Sequence, residues 1–409
     1  MHTDKIVWPI LGIILLIGVV SHTPTITYLA ISLMAAAAAG RLWARTGLAH
    51  LQIQHNIEQD RSMVGDEINL DIRLDNPTVL PLPWVQVNCE IPVEQMQVKS
   101  GKSPQGLLRI RTGLSWFQRL RRTYSIQCLQ RGYYRIRSSS VRVWDPLGLT
   151  FEQSSSSKTA SVVIYPLTVP MEEINLGTDH PLGDPQWQRW LFLDPMTVAG
   201  ARPYRPGDPL RWIHWPATAS TGDIMTRNLE GTRTPEVLIF LNLQTMPKVW
   251  LGTVPELVEL SITTAASIAR WGCTSNYQVG LLSNGYLGKE EPEDSAVPLS
   301  IPPSGNPNQL RRILESLARC SEYGQRSLSG IITNYLRTSP SPATCLVVSA
   351  IVDEKLRSTI QHCRESGHHM VVFYTGNPPV PEIAGIRIID VGGQKRWNEI
   401  VSKHTSSYS

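Results

Sequence analysis

The chain lacks paired cysteines. Its 409 residues include six cysteines, scattered without a CxxC motif, which argues against a disulfide framework or structural zinc site and favours free thiols in a reducing compartment. Charge is also scarce, with 18% charged residues and a formal net charge of +4. So small a net charge gives no reason to expect a nucleic-acid partner. The length and the hydrophobic content of 42% indicate a folded chain of two or three domains.

The N-terminal region lacks charge altogether between Lys5 and Arg41. Two apolar runs, 6–20 and 26–40, flank the short loop SHTPT. Each run is short for a membrane span of about 20 residues, but flanking Ser, Thr and Trp residues extend both. We therefore expect two transmembrane helices within residues 1–45, forming an antiparallel hairpin. A cleaved signal peptide centred on the first run is the alternative, and it leaves the second run unexplained.

Basic residues flank the hairpin on both sides, with Lys5 before it and Arg41 and Arg45 after it. Positive charge prefers the cytoplasmic side of a membrane. The sequence thus predicts a multi-pass protein of the cell inner membrane (plasma membrane) with the bulk of the chain in the cytoplasm.

Residues 46–165 have the pattern of a β-sandwich of immunoglobulin-like type. Apolar residues alternate with polar ones through Ile68, Leu70, Ile72 and Leu74, so one face of this strand is buried. Further short strand-like runs follow, separated by proline-rich turns and by DPLG at 145–148. Several short strands with such turns are typical of a sandwich.

Residues 236–395 have the pattern of an open, doubly wound α/β domain. Apolar strand-length runs begin at residues 236, 276, 344, 369 and 386 and alternate with helical patterns such as 255–272 and 308–320. Alternation of this kind indicates a parallel sheet covered on both faces. We expect 286–306 to be a solvated loop, 396–409 a polar tail, and 166–235 an irregular connecting region.

The connecting region contains the dense motif RPYRPGDPLRWIHW at 202–215. The motif resembles the signature of the bacterial family known as domain of unknown function 58. The stretches that support the resemblance elsewhere are RGY at 131–133, DPLGL at 145–149 and VVIYP at 162–166. The signature residues are Arg202, Tyr204, Gly207, Asp208, Arg211, His214 and Trp215. One departure is that 217–220, ATAS, lacks the arginine that related sequences tend to carry after the alanines.

The resemblance implies a membrane hairpin, a β-sandwich and a von Willebrand factor A-like α/β domain. Members of the family often accompany AAA+ ATPases of the MoxR type, which implies assembly or chaperone work on a protein client. The biochemical role of the family is largely unassigned. We therefore expect a non-enzymatic, membrane-anchored scaffold or assembly factor without a cofactor.

A divalent-cation site is the first alternative that the resemblance raises. Von Willebrand factor A-type domains often bind a cation through Asp-x-Ser-x-Ser after the first strand. The corresponding positions here are Asn242, Gln244 and Met246, and a later acidic position reads Ser349-Ala350. Hard cations prefer carboxylate and hydroxyl oxygens, so we expect a degenerate site with no metal and a neutral rim usable for protein contact. A metal-dependent adhesion module remains an alternative function.

A catalytic site in the signature is the second alternative. Asp208 and His214 could form an acid/base pair of a hydrolase, and the arginines could hold an anion or nucleotide. No nucleophile or phosphate-binding glycine loop accompanies them. We favour a structural clasp or docking surface, in which Asp208 accepts hydrogen bonds and Trp212 and Trp215 pack against a domain.

Basic residues are concentrated in 101–142, which holds ten Lys or Arg and no Asp or Glu. Anionic lipid or an acidic partner would suit such a surface, and a solvated face of the sandwich explains it equally well. The predicted basic face comprises Arg119, Arg121, Arg122, Arg131, Arg135 and Arg137.

A group of residues near 362–369 resembles a zinc ligand set. It contains His362, Cys363, Glu365, His368 and His369. These residues straddle a predicted helix end and strand start, and adjacent residues of a strand point to opposite faces. We expect a surface cluster without a metal ion.

Overall fold

The computed structural model describes residues 4–92, 96–98, 107–148, 150–155, 159–174, 198–205, 213–229, 236–288, 297–321, 324, 326–338 and 343–406. The chain divides into two compact units, Met1–Tyr165 and Pro166–Ser409. The first contains two helices and a β-rich domain, and the second is built mainly around one six-stranded sheet.

Two apolar helices begin the first unit, α1 at Asp4–Val20 and α2 at Pro24–His50. They contact each other, and small residues of α2, including Ala30 and Ala37, are fully buried. Large apolar residues of both helices, such as Leu16 and Leu29, are more than half exposed, which is the expected arrangement for a lipid-facing surface.

Among the residues that the structure describes, one helix, α2, is long and apolar enough to cross a membrane, and the apolar part of α1, Trp8–Val20, is shorter than a span. Length and composition thus support one membrane helix near the N-terminus, while the predicted second crossing is not supported. Helix α2 also continues to His50, past the boundary predicted at residue 45. Its last turns are amphipathic and join the β-rich domain.

Ten strands follow α2 and form two sheets. They are β1 Gln52–Ile57, β2 Arg61–Met63, β3 Glu67–Asp75, β4 Leu82–Glu90, β5 Met96–Val98, β6 Leu107–Leu114, β7 Arg119–Cys128, β8 Gly132–Trp144, β9 Phe151–Ser154 and β10 Thr159–Tyr165. One sheet has the order β1-β3-β7-β5, and the other has the order β2-β10-β8-β4-β6 with β9 paired to β8.

The two sheets enclose a single hydrophobic core. The alternating residues Ile68, Leu70, Ile72 and Leu74 of β3 are each at most 2% exposed. They belong to the same core cluster as residues of β4 such as Val87 in the other sheet. The predicted β-sandwich architecture is therefore present, because the period of two in β3 buries one face of the sheet.

The second unit begins with short elements, which are α3 Met171–Ile174, β11 Val198–Pro203, α4 Trp215–Thr221 and β12 Met225–Leu229. Strands β11 and β12 pair antiparallel. The backbone N–H of Val169 donates to Ser267 Oγ at 2.9 Å. The start of the predicted connecting region is thus part of the α/β domain rather than a separate linker.

The main sheet of this unit has six strands, β13 Glu236–Leu241, β14 Gln278–Leu287, β15 Val297–Ser304, β16 Thr344–Ser349, β17 His369–Tyr374 and β18 Arg387–Asp390. Their order is β15-β14-β13-β16-β17-β18. All pairs are parallel except β14 with β15. Every residue from Val237 to Leu241 is completely buried, as the continuous apolar run predicts for a strand covered on both faces.

Five helices accompany the sheet, α5 Pro255–Thr274, α6 Gln309–Arg319, α7 Leu328–Thr338, α8 Glu354–Glu365 and α9 Gly393–Ser406. Helix α5 contacts β13, β14 and β16 and is flanked by α6 and α9, whereas α7 contacts β13 and β14 and is flanked by α8. Two of these elements, the proline-rich strand β15 at Val297–Ser304 and helix α9, differ from what the sequence predicts.

The predicted solvated loop 286–306 contains the edge strand β15, in which Leu299 is 1% exposed. Its prolines conceal the strand signal, and an edge strand tolerates them because one side of it needs no partner. The predicted polar tail 396–409 is wrong over most of its length, because α9 continues to Ser406 and buries Ile400.

Candidate functional site

The signature residues fall on the β11–α4–β12 segment. Arg202 lies in β11 and Tyr204 just after it, and His214 and Trp215 lie at the start of α4. Gly207, Asp208, Arg211 and Trp212 lie outside the described residues. The proposed acid/base pair of Asp208 and His214 therefore has only one partner that the structure places.

His214 is the N-terminal cap of α4. Its Nδ1 accepts a hydrogen bond from the backbone N–H of Ala217 at 3.1 Å. The backbone N–H of His214 donates to the Met225 carbonyl at 2.8 Å. A ring nitrogen that accepts from a backbone N–H carries no proton, so the neutral ring holds its proton on Nε2. The same cap satisfies one of the unpaired N–H groups at the helix start.

The rest of the signature that is described forms a surface hairpin. Tyr204 N–H donates to the Ile224 carbonyl at 2.9 Å, and Met225 N–H donates to Thr218 Oγ1 at 3.0 Å. Trp215 is 68% exposed, so the prediction that it packs against a domain is wrong. Since Pro216 follows it at the first turn of α4, its backbone is set by the helix start while the indole points outward.

A hydrogen-bonded network of neutral side chains occupies the carboxyl edge of the main sheet. Asn242, which follows β13, is 6% exposed. Its Oδ1 accepts from Asn284 Nδ2 at 2.7 Å and from the Gln244 N–H at 3.1 Å. Its Nδ2 donates to Ser349 Oγ at 2.9 Å. The network thus joins the ends of β13, β14 and β16.

The network is closed by the backbone. Asn284 Oδ1 accepts from the Leu243 N–H at 2.8 Å, and Ser349 Oγ donates to the Ile351 carbonyl. The lone pairs that would face a cation are therefore used within the protein. Divalent ions also bind most tightly where carboxylates contribute ligands, and the described part of the chain has no group of three or more His, Cys, Asp or Glu that could hold a metal.

The other two positions of the degenerate metal site do not converge on Asn242. Gln244 Nε2 donates to the Met246 carbonyl at 2.9 Å, which turns the side chain back onto its own loop. Met246 contributes its carbonyl to that turn and is half-buried. Sequence reasoning missed Asn284, although its place at the end of a buried strand was a usable signal.

An exposed apolar pair lies on the loop after this network. A short 3₁₀ helix, Val249–Leu251, follows the Asn242–Met246 segment. Trp250 is 79% exposed and Leu251 is 57% exposed, and Lys248 Nζ lies 5.2 Å from the centre of the Trp250 ring. Exposed tryptophan side chains are frequent at sites of protein contact.

A cleft of about 580 Å³ lies at the end of β14, between β15 and α7. Asn284, Tyr286, Arg326 and Tyr335 are among the residues that line it. Burial raises the pKa of Tyr335 above its ordinary value, so its hydroxyl stays protonated and able to donate a hydrogen bond. The cleft thus offers hydrogen-bonding groups and one cation beside the neutral network.

The predicted basic face is divided between the two sheets of the sandwich. Arg119 and Arg121 lie on β7, where they bind Asp75 and Asp71 of β3. Arg135 lies on β8 in the other sheet, with its guanidinium 5.2 Å from the Tyr133 ring centre. The prediction of one face is therefore wrong, because β7 and β8 are consecutive in sequence but belong to opposite sheets.

The remaining residues of that prediction differ from one another in burial. Arg122 is exposed, whereas Arg131 is only 6% exposed and lies at the start of β8. Arg137 is on β8, and its side chain lies outside the described residues. A count of basic residues therefore overstates the charge that this region presents to solvent.

The histidine and cysteine group near α8 is not a metal cluster in the described residues. Cys363 is buried in the core at 5% exposure, while His362 is exposed. Burial lowers the pKa of His368 and of His369 below the ordinary value of 6.5. The side chains thus point to different environments instead of to one centre.

Comparison with known proteins confirms the family resemblance for the second unit. Residues 200–391, just under half of the chain, match the family described as "Protein of unknown function DUF58". The "Uncharacterized protein YeaD" of Bacillus subtilis (strain 168) is 20% identical over 202 residues. The match covers 48% of this chain and 48% of that relative, so the chain spans about half of the relative's length.

Solved structures give weak likenesses. A cohesin module from a Clostridium perfringens family 33 glycoside hydrolase is 14% identical with a TM-score of 0.21, and the match covers 28% of this chain and 95% of the module. A type II cohesin domain from the cellulosome of Acetivibrio cellulolyticus is 12% identical with a TM-score of 0.20, covering 27% of this chain and 94% of that domain. Likenesses of this degree carry no functional argument.

Proposed function

We propose that the protein is a non-enzymatic, membrane-anchored scaffold or assembly factor. It acts with an AAA+ ATPase of the MoxR type on a protein client at the cytoplasmic face of the inner membrane. The partner class comes from the family resemblance, and the apolar helix α2 supports the anchor. In this proposal α1 and α2 form the two-span hairpin, and residues 236–395 form a doubly wound, von Willebrand factor A-like domain.

The observation that carries this proposal is the neutral, closed network at the carboxyl edge of the sheet beside an exposed apolar pair. Open α/β sheets bind their ligands at this edge. Asn242, Asn284 and Ser349 offer no carboxylate to a metal, whereas Trp250 and Leu251 offer apolar surface. This combination favours a protein partner that docks without a bridging cation. We call the edge formed by Asn242, Gln244, Trp250 and Leu251 the docking rim.

The two alternatives have less support. A metal-dependent adhesion module needs a carboxylate at the position of Asn242, where an amide is engaged in three hydrogen bonds. A hydrolase using Asp208 and His214 needs a free imidazole nitrogen to accept a proton. Nδ1 of His214 accepts the cap hydrogen bond of α4, and the proton of the ring is on Nε2, so neither nitrogen is free for that role.

Affinity capture of the detergent-solubilised full-length protein tests the proposal. The bound proteins are identified by mass spectrometry for the unaltered chain, Trp250→Ser and the control Ile224→Ser. Ile224 is also exposed, at 52%, but lies between α4 and β12. We expect an AAA+ ATPase with the unaltered chain and the control, and its loss with Trp250→Ser. Equal recovery on all three chains, or no AAA+ ATPase on any, would contradict the proposal.

A further inference from the structure

The last turns of α2 are fastened to one end of the sandwich. Gly40 packs so closely on Asp145 that an added Cβ would lie 2.6 Å from Asp145 Oδ2. Trp43 Nε1 donates to the Pro81 carbonyl at 2.9 Å. The turns that contain Pro81 and Asp145 therefore lie at the level of residues 40–43 of the helix.

If α2 spans the membrane as proposed above, this level is where the helix leaves the hydrocarbon region. Arg41 is the first charged residue after Lys5, and charged residues mark the end of a membrane-spanning segment. A helix rises about 1.5 Å per residue, so Gly40 and Trp43 are about 5 Å apart along its axis. The turns that contact them thus lie within the depth of the headgroup layer.

Large apolar side chains protrude from these two turns and from the turn between β6 and β7 at 115–118. Val79 is 66% exposed, Trp116 is 66% exposed, Phe117 is 63% exposed and Leu147 is 63% exposed. Single exposed apolar residues are common on soluble proteins. These four lie on three turns at the end of the domain where α2 joins it. We call these four residues the apolar edge.

The turns of the apolar edge are held rigidly. Asn76 is fully buried and its Nδ2 donates to the carbonyls of Leu80 at 2.9 Å and Ser115 at 3.0 Å. The Phe117 N–H donates to the Thr78 carbonyl at 3.1 Å. Phe117 also has a φ of 52°, a left-handed conformation that is uncommon for a bulky residue. The fold therefore holds an aromatic ring outward at a conformational cost.

Positive charge lies beside the apolar edge. Arg45 is exposed on α2, and the side chain of Arg119, two residues after Phe117, is 85% exposed while paired with Asp75. Tryptophan is enriched at membrane interfaces because its ring is apolar and its N–H is polar. Arginine near the surface is attracted to anionic lipid. The edge thus combines exposed apolar side chains with basic side chains nearby, the two features that favour an anionic bilayer surface.

We propose that the apolar edge inserts into the headgroup region of an anionic phospholipid leaflet, next to the point where α2 emerges. The sandwich then has two attachments to the membrane, the helix and the edge, which fix its tilt and its height. This inference rests on the proposed membrane anchoring by α2. It assigns the bilayer, and not a protein, as the occupant of the edge.

Fluorescent labels on the full-length chain test this insertion. Trp116→Cys and Leu147→Cys each receive a polarity-sensitive label on the edge, and Gln130→Cys is the matched control. Gln130 is exposed and follows β7, whose ten residues run away from the edge, at about 3.3 Å each. The unsubstituted chain measures background labelling of Cys273, the one cysteine that is not buried. Thermal unfolding confirms that each variant is folded.

The labelled proteins are reconstituted in vesicles of phosphatidylcholine and phosphatidylglycerol, with and without spin-labelled lipid near the headgroup. We expect labels at 116 and 147 to emit at shorter wavelength and to be quenched by the spin label, and the label at 130 to behave as in water. Pure phosphatidylcholine vesicles should reduce the quenching at 116 and 147, and equal quenching there would refute the preference for anionic lipid.

The outcomes distinguish the two proposals. If the protein floats with the vesicles but the labels at 116 and 147 emit as in water, the inserted edge is refuted and the anchor stands. If the protein does not float with the vesicles, the anchor itself fails. The two label sites lie on different turns, so either of them decides the question if the other variant does not fold.

Discussion

Asn242, directly after β13, and Ser349, at the end of the neighbouring parallel strand β16, are joined by a side-chain hydrogen bond of 2.9 Å. Both are buried, at 6% and 0% exposure. The bond lies at the edge of the sheet where the sequence resemblance raised a metal site. Side chains at the positions expected to bind a metal are therefore part of the buried interior. Their hydrogen bonds contribute to the stability of the domain.

Replacing Asn242 by alanine should therefore destabilise the domain. The substitution leaves Asn284 Nδ2 and the Gln244 N–H without their acceptor, and a buried polar group without a partner costs about 1–3 kcal/mol. Chemical denaturation of the full-length protein in detergent measures the change. The matched control is Gln244→Ala, whose side chain bonds only its own loop, and it should change stability by less than about 0.5 kcal/mol. Equal losses would show that the network is not responsible.

Addition of Mg²⁺ or Mn²⁺ to chelator-treated protein should leave the melting temperature unchanged. A ligand that binds the folded state alone raises stability, and the amide network offers no carboxylate to such an ion. Asn242→Asp is the matched variant, because it restores a carboxylate at that position. A rise in melting temperature of the unaltered chain with either ion would restore the metal-dependent adhesion hypothesis.

His214→Ala should lower the stability of the α4 segment by about 1 kcal/mol, the usual cost of losing a helix cap. His214→Asn should retain most of it, because asparagine also accepts from a backbone N–H at this position. Hydrogen exchange of the Ala217 amide, the donor in this cap, measures the effect locally. Faster exchange in both variants alike would argue that the imidazole has a role other than capping.

Asp71→Asn should destabilise the sandwich near neutral pH and have less effect in acid. Hydrogen bonds from Thr123 and then Arg121 hold the pKa of the Asp71 carboxyl below its ordinary value of 3.8. Because the folded-state pKa is depressed, this stabilisation is fully present above the unfolded pKa and is lost as pH falls through the folded one. Unfolding measured from pH 7 downward should thus show the variant and the unaltered chain converging below about pH 4. Asp75→Asn, whose partner Arg119 is 85% exposed, should have a smaller effect.

The sequence predicts the elements whose patterns are regular. The period of two through Ile68, Leu70 and Ile72 locates a buried sandwich face, and the apolar run at 237–241 locates a strand covered on both sides. Each pattern follows from burial of one segment, so it can be read without knowledge of the neighbours.

The features that sequence reasoning missed depend on neighbours. Strand β15 contains Pro298, Pro302 and Pro303. These prolines are compatible with a strand only because β15 lies at the edge of the sheet. Helix α9 consists mostly of polar residues and buries few side chains. Ile400 is one of the buried ones. The bond from Asn242 to Ser349 joins residues 107 positions apart. Arg131 looks like surface charge in the sequence and is buried because of where β8 begins.

In the proposed function, a protein partner docks at the rim beside Asn242 without a metal ion. Site-specific photo-crosslinking in cells tests it most directly, with a photoreactive amino acid at Trp250 and, as control, at Ile224, both of which are exposed. We expect a covalent adduct with an AAA+ ATPase or its client from position 250 and none from position 224. No adduct from position 250, or the same adducts from both positions, would contradict it.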